Sequence, residues 1–198
     1  MKTTLNAIRE HAPCAEGWKK LLTYLGKTEA DDEPLSLLTI LDSNGLDDAL
    51  WALRAVEGYD REIRLYAVWC ARRVEHLLTD ERSRETLDVA ERYARGRATR
   101  EELDAAAYAA ADAADADTDG YAYAVAADAA YAAARADTDA ADAAYAAADA
   151  AAADAAYAAA RVARADAAAA ARVAQSAEFR RVCECVDAGR DPYPEANV

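Results

Sequence analysis

Residues 104–170 constrain the fold more than any other part of the chain. About three residues in five there are alanine, the strongest helix former, and after Gly120 neither glycine nor proline recurs until Gly189. Such a tract is helical, and the question is what its helices pack against. A single rod from residue 121 to 186 would span roughly 100 Å with little apolar area to hold it. Stacked helices joined through alanine seams approach closely and gain dispersion contacts along their length. The expectation is therefore several antiparallel helices, interrupted near residues 117–120 and 137–139 and again near 164–166. A "DAAY" unit ends in Tyr131, Tyr145 and Tyr157. The first two tyrosines stand two heptads apart and the third comes two residues early, so a kink or turn near residues 149–154 is expected to absorb the slip.

The stretch "DADTDG" opens like a calcium loop. Asp115, Asp117 and Asp119 take the first, third and fifth ligand positions and Gly120 the sixth, but the twelfth, which needs a bidentate glutamate, is Ala126. The second "DTD", Asp137 to Asp139, lacks the glycine altogether. Helix interruptions capped by Asp or Thr explain both stretches without a metal.

Ahead of the tract the chain reads as short helices with ordinary punctuation. "EGWKKLLTYLG" stops at Gly26, the polar "KTEADDEP" follows, and "LSLLTILDSNG" and "LDDALWALRAVEG" each end in glycine. Leu46, Leu50 and Leu53 share one helical face. In "YDREIRLYAVWCARRVEHLLTD" Asp60 reads as an N-cap, and Ile63, Tyr66, Ala67, Cys70, Val74 and Leu77 form a stripe that predicts core, with Trp69 and Cys70 as packing residues. The next helix stops at Gly96, and "TREE" predicts a capping box between Thr99 and Glu102. "SAEFRRVCECVDAG" puts Phe179, Val182 and Val186 on one side.

The expected class is all-α: a bundle of short helices over residues 1–103, continuing into an alanine-rich, repeat-like stack over 104–188 packed on it, with a tail at 189–198. The net charge of −14 is concentrated in the middle, with −4 in residues 1–103, −9 in 104–170 and −1 beyond. That field repels nucleic-acid phosphates and anionic membranes and attracts a basic partner. With no apolar core after Lys2 and with alanine runs studded by aspartate, the sequence predicts neither a signal peptide nor a membrane span, and a cytoplasmic protein. Cys14, Cys70, Cys183 and Cys185 are expected to be reduced structural thiols, and with only His11 and His76 present no metal or other cofactor is expected.

The block "EIRLYAVWCARRVEHLLTDERSRETLDVAERYARGRATREELDAA", residues 62–106, resembles one found in uncharacterised alanine-rich helical proteins of tailed phages and bacteria labelled as immunity proteins of the polymorphic-toxin kind. There an arginine-bearing helix, a "TDERS" turn and an "ALDVAERYARG"-like helix precede a long alanine-rich tract. The upstream "LGKTEADDEPLSLLTILDSNGLDDALWALRAVEG" is similar to the phage members in particular. The resemblance implies binding and neutralising a protein, as in immunity or counter-defence, and carries over no catalytic residue.

Together these readings point to a non-enzymatic inhibitor that presents an acidic helical face to a basic toxin or defence effector. The candidate face comprises Asp112, Asp115, Asp117, Asp119, Asp128, Asp137, Asp139, Asp142, Asp149 and Asp154, with Tyr131, Tyr145 and Tyr157 as aromatic anchors. Two alternatives stay open: a nucleic-acid mimic that blocks a DNA-binding defence protein, and a sponge for a nucleotide signal if Arg135, Arg161 or Arg164 converge. Pairing of alanine-rich helices across two copies of the chain is also open. No Ser-His-Asp order, glycine-rich phosphate loop or paired zinc motif predicts an enzyme.

Overall fold

The structure, a computed structural model, describes residues 1–78, 80–116, 140–158 and 164–195. The fold is all-α, and among the described residues the exception is one antiparallel pair of two-residue strands, β1 (Lys2–Thr3) and β2 (Leu35–Ser36), which the helical reading did not anticipate. No helix among the described residues is long and apolar enough to cross a membrane.

The chain forms two compact units, Met1–Tyr59 with Ser176–Val198, and Asp60–Gln175. Composition changes at residue 103, whereas packing divides the chain at residues 59 and 175.

In the first unit, α1 (Leu5–Glu10), α2 (Ala15–Leu25), α3 (Leu37–Asn44) and α4 (Leu46–Trp51), which runs into a 3₁₀ turn at Ala52–Ala55, gather around large aliphatic side chains. Leu5, Leu37, Ile40, Leu50 and Leu53 are fully buried, as the spacing of Leu46, Leu50 and Leu53 predicts. Side chains cap the helix starts: Ala7 N donates to Thr4 Oγ1 at 3.0 Å and Leu38 N to Ser36 Oγ at 3.2 Å. The Cys14 thiol does the same for α2, accepting from Gly17 N at 3.3 Å. Gly26 ends α2 at φ +67°, and Lys27 N reaches back to Leu22 O at 2.9 Å, satisfying a carbonyl at the helix end. The polar segment after it is held locally: Lys27 Nζ lies 2.5 Å from Asp31 Oδ2 and 2.6 Å from Glu33 Oε2. The last turns of the C-terminal helix bury Phe179, Val182, Cys183 and Cys185 in this unit.

The second unit is a row of helices. α5 (Asp60–Arg72) packs on α6 (Glu81–Ala94), α6 packs on α7 (Arg100–Ala116), and α5 packs most extensively on the alanine-rich α8 (Ala140–Ala158). With neighbours on two sides, α5 buries Leu65, Val68 and Ala71 as well as Ile63, Tyr66, Ala67 and Cys70, which is more than the single stripe predicts. It also ends earlier than the sequence pattern implies. Arg73 N and Val74 N bond to carbonyls three residues back and tighten the end, and a 3₁₀ turn follows at Glu75–Leu77. His76 lies exposed on that turn and His11 at the end of α1.

Asp80 caps α6, and Gly96 at φ +69° ends it, with Arg97 N bonded to Arg92 O at 2.7 Å. The capping box is present: Glu102 N donates to Thr99 Oγ1 at 3.2 Å and Thr99 N to Glu102 Oε2 at 2.7 Å. Arg72 joins α5 to α6 through Asp88 at 2.8 Å and Glu91 at 3.0 Å, and Arg95 holds the other oxygen of Glu91 at 3.0 Å. The last helix, α9 (Arg164–Asp187), gives its first half to this unit and its second half to the other.

Candidate protein-binding face

The face is built by α8, and alanine decides its form. Ala140, Ala141, Ala143, Ala144, Ala147, Ala148 and Ala152 are buried, a stripe at helical spacing. Opposite it, Asp142, Tyr145, Ala146 and Asp149 are exposed. Steps of three and four residues place Asp142, Tyr145 and Asp149 on one side of the helix. Two predicted carboxylates and one predicted aromatic anchor thus share a surface, because the methyl groups between them face inward.

The buried stripe also explains why α8 runs without interruption through residues 149–154, where the tyrosine spacing led to the expectation of a kink or turn. Tyr145 is 37% exposed, so it lies at the rim rather than in the seam. The register that packing must keep is that of the alanines, and a slip between tyrosines leaves it untouched.

Methyl side chains leave the helical backbone within reach of neighbours. Gln175, 2% exposed on α9, donates through Nε2 to Ala148 O on α8 at 2.8 Å. The Thr86 hydroxyl of α6, fully buried, lies 2.8 Å from Arg82 O of its own helix and 2.8 Å from Ala106 O of α7. It shares its one proton between them. Helical carbonyls keep a second lone pair after the intrahelical bond, and longer side chains at 106 and 148 would shield it. Sequence reasoning passed over Thr86 and Gln175, although each is a polar residue among apolar positions of its helix.

Arg172 bonds Asp149 Oδ1 at 2.8 Å across α8 and α9. At 64% exposure Asp149 keeps much of its surface in water, so the pair contributes about 0.2–1 kcal/mol and leaves the carboxylate accessible. On α7, Asp112 is exposed and Tyr108, which sequence reasoning did not single out, is 72% exposed, while Leu103, Ala107 and Ala110 are buried.

Of the remaining candidates, Asp115 lies in α7 and Asp154 and Tyr157 in α8, with side chains outside the described ones. Asp117, Asp119, Asp128, Tyr131, Asp137 and Asp139 lie outside the described residues, as do Gly120, Arg135 and Arg161. The calcium-loop question and the interruptions at 117–120 and 137–139 fall there too. Residues 164–166, where an interruption is expected, form the first turn of α9, and residues 159–163 before them lie outside the described residues.

Among the described residues no group of three or more His, Cys, Asp or Glu side chains is arranged to hold a metal ion. The four cysteines are free thiols, with Cys14 exposed and the others buried. Burial pushes the Cys183 thiol up to about 12, which keeps it protonated and a poor nucleophile. No family model, curated protein or solved structure matches the chain.

Proposed function

We propose that the protein is a non-enzymatic binder of a basic protein, an inhibitor of the immunity or counter-defence type, and that the exposed face of α8 is part of its contact surface. The observation that carries this reading is the sorting of α8 into a buried alanine stripe and an opposite face bearing Asp142, Tyr145 and Asp149. A tyrosine between two accessible carboxylates supplies an apolar contact and two acceptors for Lys or Arg at low conformational cost. The −9 charge of residues 104–170 would speed encounter with a cationic partner and disfavour anionic ones. The resemblance of residues 62–106 to immunity-labelled proteins of phages and bacteria agrees with that role.

The test is affinity capture of a partner by the full chain from the cells that make it. Capture is repeated at about 1 M salt, where the screening length falls to about 3 Å, and with the variant Asp112→Asn/Asp142→Asn/Asp149→Asn. The expected partner is basic and is lost under both conditions. A specific partner retained by the triple variant and indifferent to salt would overturn the acidic-face reading.

A further inference from the structure

Within the second unit, α5 and α9 are joined at one point by Tyr66 Oη, which donates to Gln175 O at 3.2 Å. Beyond that point they enclose a cavity of about 310 Å³. Its walls are Trp69, Arg73 and Val74 on one side and Ala167, Ala171 and Ala174 among those on the other. The alanines recur every three to four residues and present only methyls, which are too short to reach Trp69. The volume lies at the small end of ligand pockets, which begin at roughly 300 Å³.

Two features distinguish this cavity from a gap left by small side chains. Its aromatic wall is fixed, since the Trp69 ring stacks on Tyr66 with centroids 6.2 Å apart and planes 17° apart, and Tyr66 is itself held by the bond to α9. A wall ordered in advance loses little freedom when something binds to it. The second feature is Arg73. Its neighbour Arg72 engages Glu75, Asp88 and Glu91, yet among the described residues Arg73 meets no carboxylate in a chain that carries a net charge of −14. Its guanidinium instead stands over the Trp69 ring, 5.6 Å from the centroid. A guanidinium on an indole retains its in-plane N–H donors, and those donors suit a carboxylate, sulfonate or phosphate.

We propose that this cavity binds a small molecule with an apolar body and one anionic end, the body lying between Trp69 and the alanine stripe of α9 and the anion on Arg73. The site is separate from the exposed face of α8, and neither depends on the other.

The test titrates the full-length protein with 8-anilinonaphthalene-1-sulfonate and with N-phenyl-1-naphthylamine, which keeps the aromatic body and lacks the sulfonate. The variants are Arg73→Gln and Ala171→Leu, the second placing a side chain in the cavity. Thermal melting of each confirms that it is folded. The expected result is saturable one-site binding of the sulfonate, weakened about tenfold by Arg73→Gln, within the range of a hydrogen bond to a charged group. The neutral probe should change less than twofold with Arg73→Gln, and Ala171→Leu should weaken both probes. Binding of the sulfonate that survives Ala171→Leu, or that never saturates, places the probe elsewhere and overturns the site. An unchanged sulfonate affinity in Arg73→Gln overturns the anionic end of the proposal.

Discussion

The two units solve the same problem with different side chains. The first fills its interior with Leu5, Leu37, Ile40, Leu50 and Leu53, each burying a large apolar area, and its helices are short. Among the described side chains of α8 the second buries only methyls, and Gln175 of α9 reaches the α8 backbone. Leucine stabilises by the area it removes from water. Alanine removes little, and its advantage is proximity: helices that approach closely gain dispersion contacts and expose carbonyls that Gln175 and Thr86 use. One consequence is that the second unit tolerates added volume in its seam poorly, while the first is sensitive to lost volume.

A reciprocal pair of variants gives the largest effect. Leu50→Ala opens a cavity in the first unit and should cost about 2–5 kcal/mol, and Ala144→Leu forces the seam apart and should cost about 1–3 kcal/mol or more. Both residues are fully buried, and denaturant unfolding with equal slopes measures the difference. If Ala144→Leu proves neutral, the seam is not closely packed and the contrast between the units fails. Next in size is Gln175→Leu, which preserves bulk but removes the bond to Ala148 O and should cost about 0.5–1.5 kcal/mol. Should Gln175→Leu stabilise the protein instead, the backbone contact is incidental to the packing.

The smallest effect concerns acid. Partial burial acts to raise the Glu91 carboxyl, but hydrogen bonds from Arg95 and Arg72 outweigh it and hold the group below its usual value of 4.5. A depressed carboxylate adds stability that is fully present above the unfolded value and is lost as pH falls through the lower folded value. The wild-type denaturation midpoint should therefore decline as pH drops below about 4.5, and Glu91→Gln should start lower and decline less. Parallel pH profiles for the two proteins would show that the α5–α6 ion pairs add nothing.

Much of the local structure was legible in the sequence because it depends on neighbours along the chain. Gly26 and Gly96 end their helices, Thr99 and Glu102 close their box, and Leu46, Leu50 and Leu53 share a buried face, since each needs only helical geometry and a few adjacent residues. The candidate site was legible in part. Asp142, Tyr145 and Asp149 fall on one exposed side, but alanine runs allow many registers, and only the partner helix selects which methyls turn inward. That is also why the tyrosine spacing pointed to a kink in a helix that continues to Ala158.

The sequence by itself determined that this chain is helical, where several helices stop, and that its anionic charge is concentrated in the alanine-rich part. Backbone propensity, capping and charge are properties of short stretches and can be read without coordinates. The tertiary structure decided which face of α8 meets solvent, that α5 is covered on two sides, that Thr86 and Gln175 reach carbonyls of neighbouring helices, and that Trp69 and Arg73 face the alanines of α9 across a cavity. Each of these depends on contacts between residues far apart in sequence, and an alanine helix carries too little side-chain shape to specify such contacts on its own.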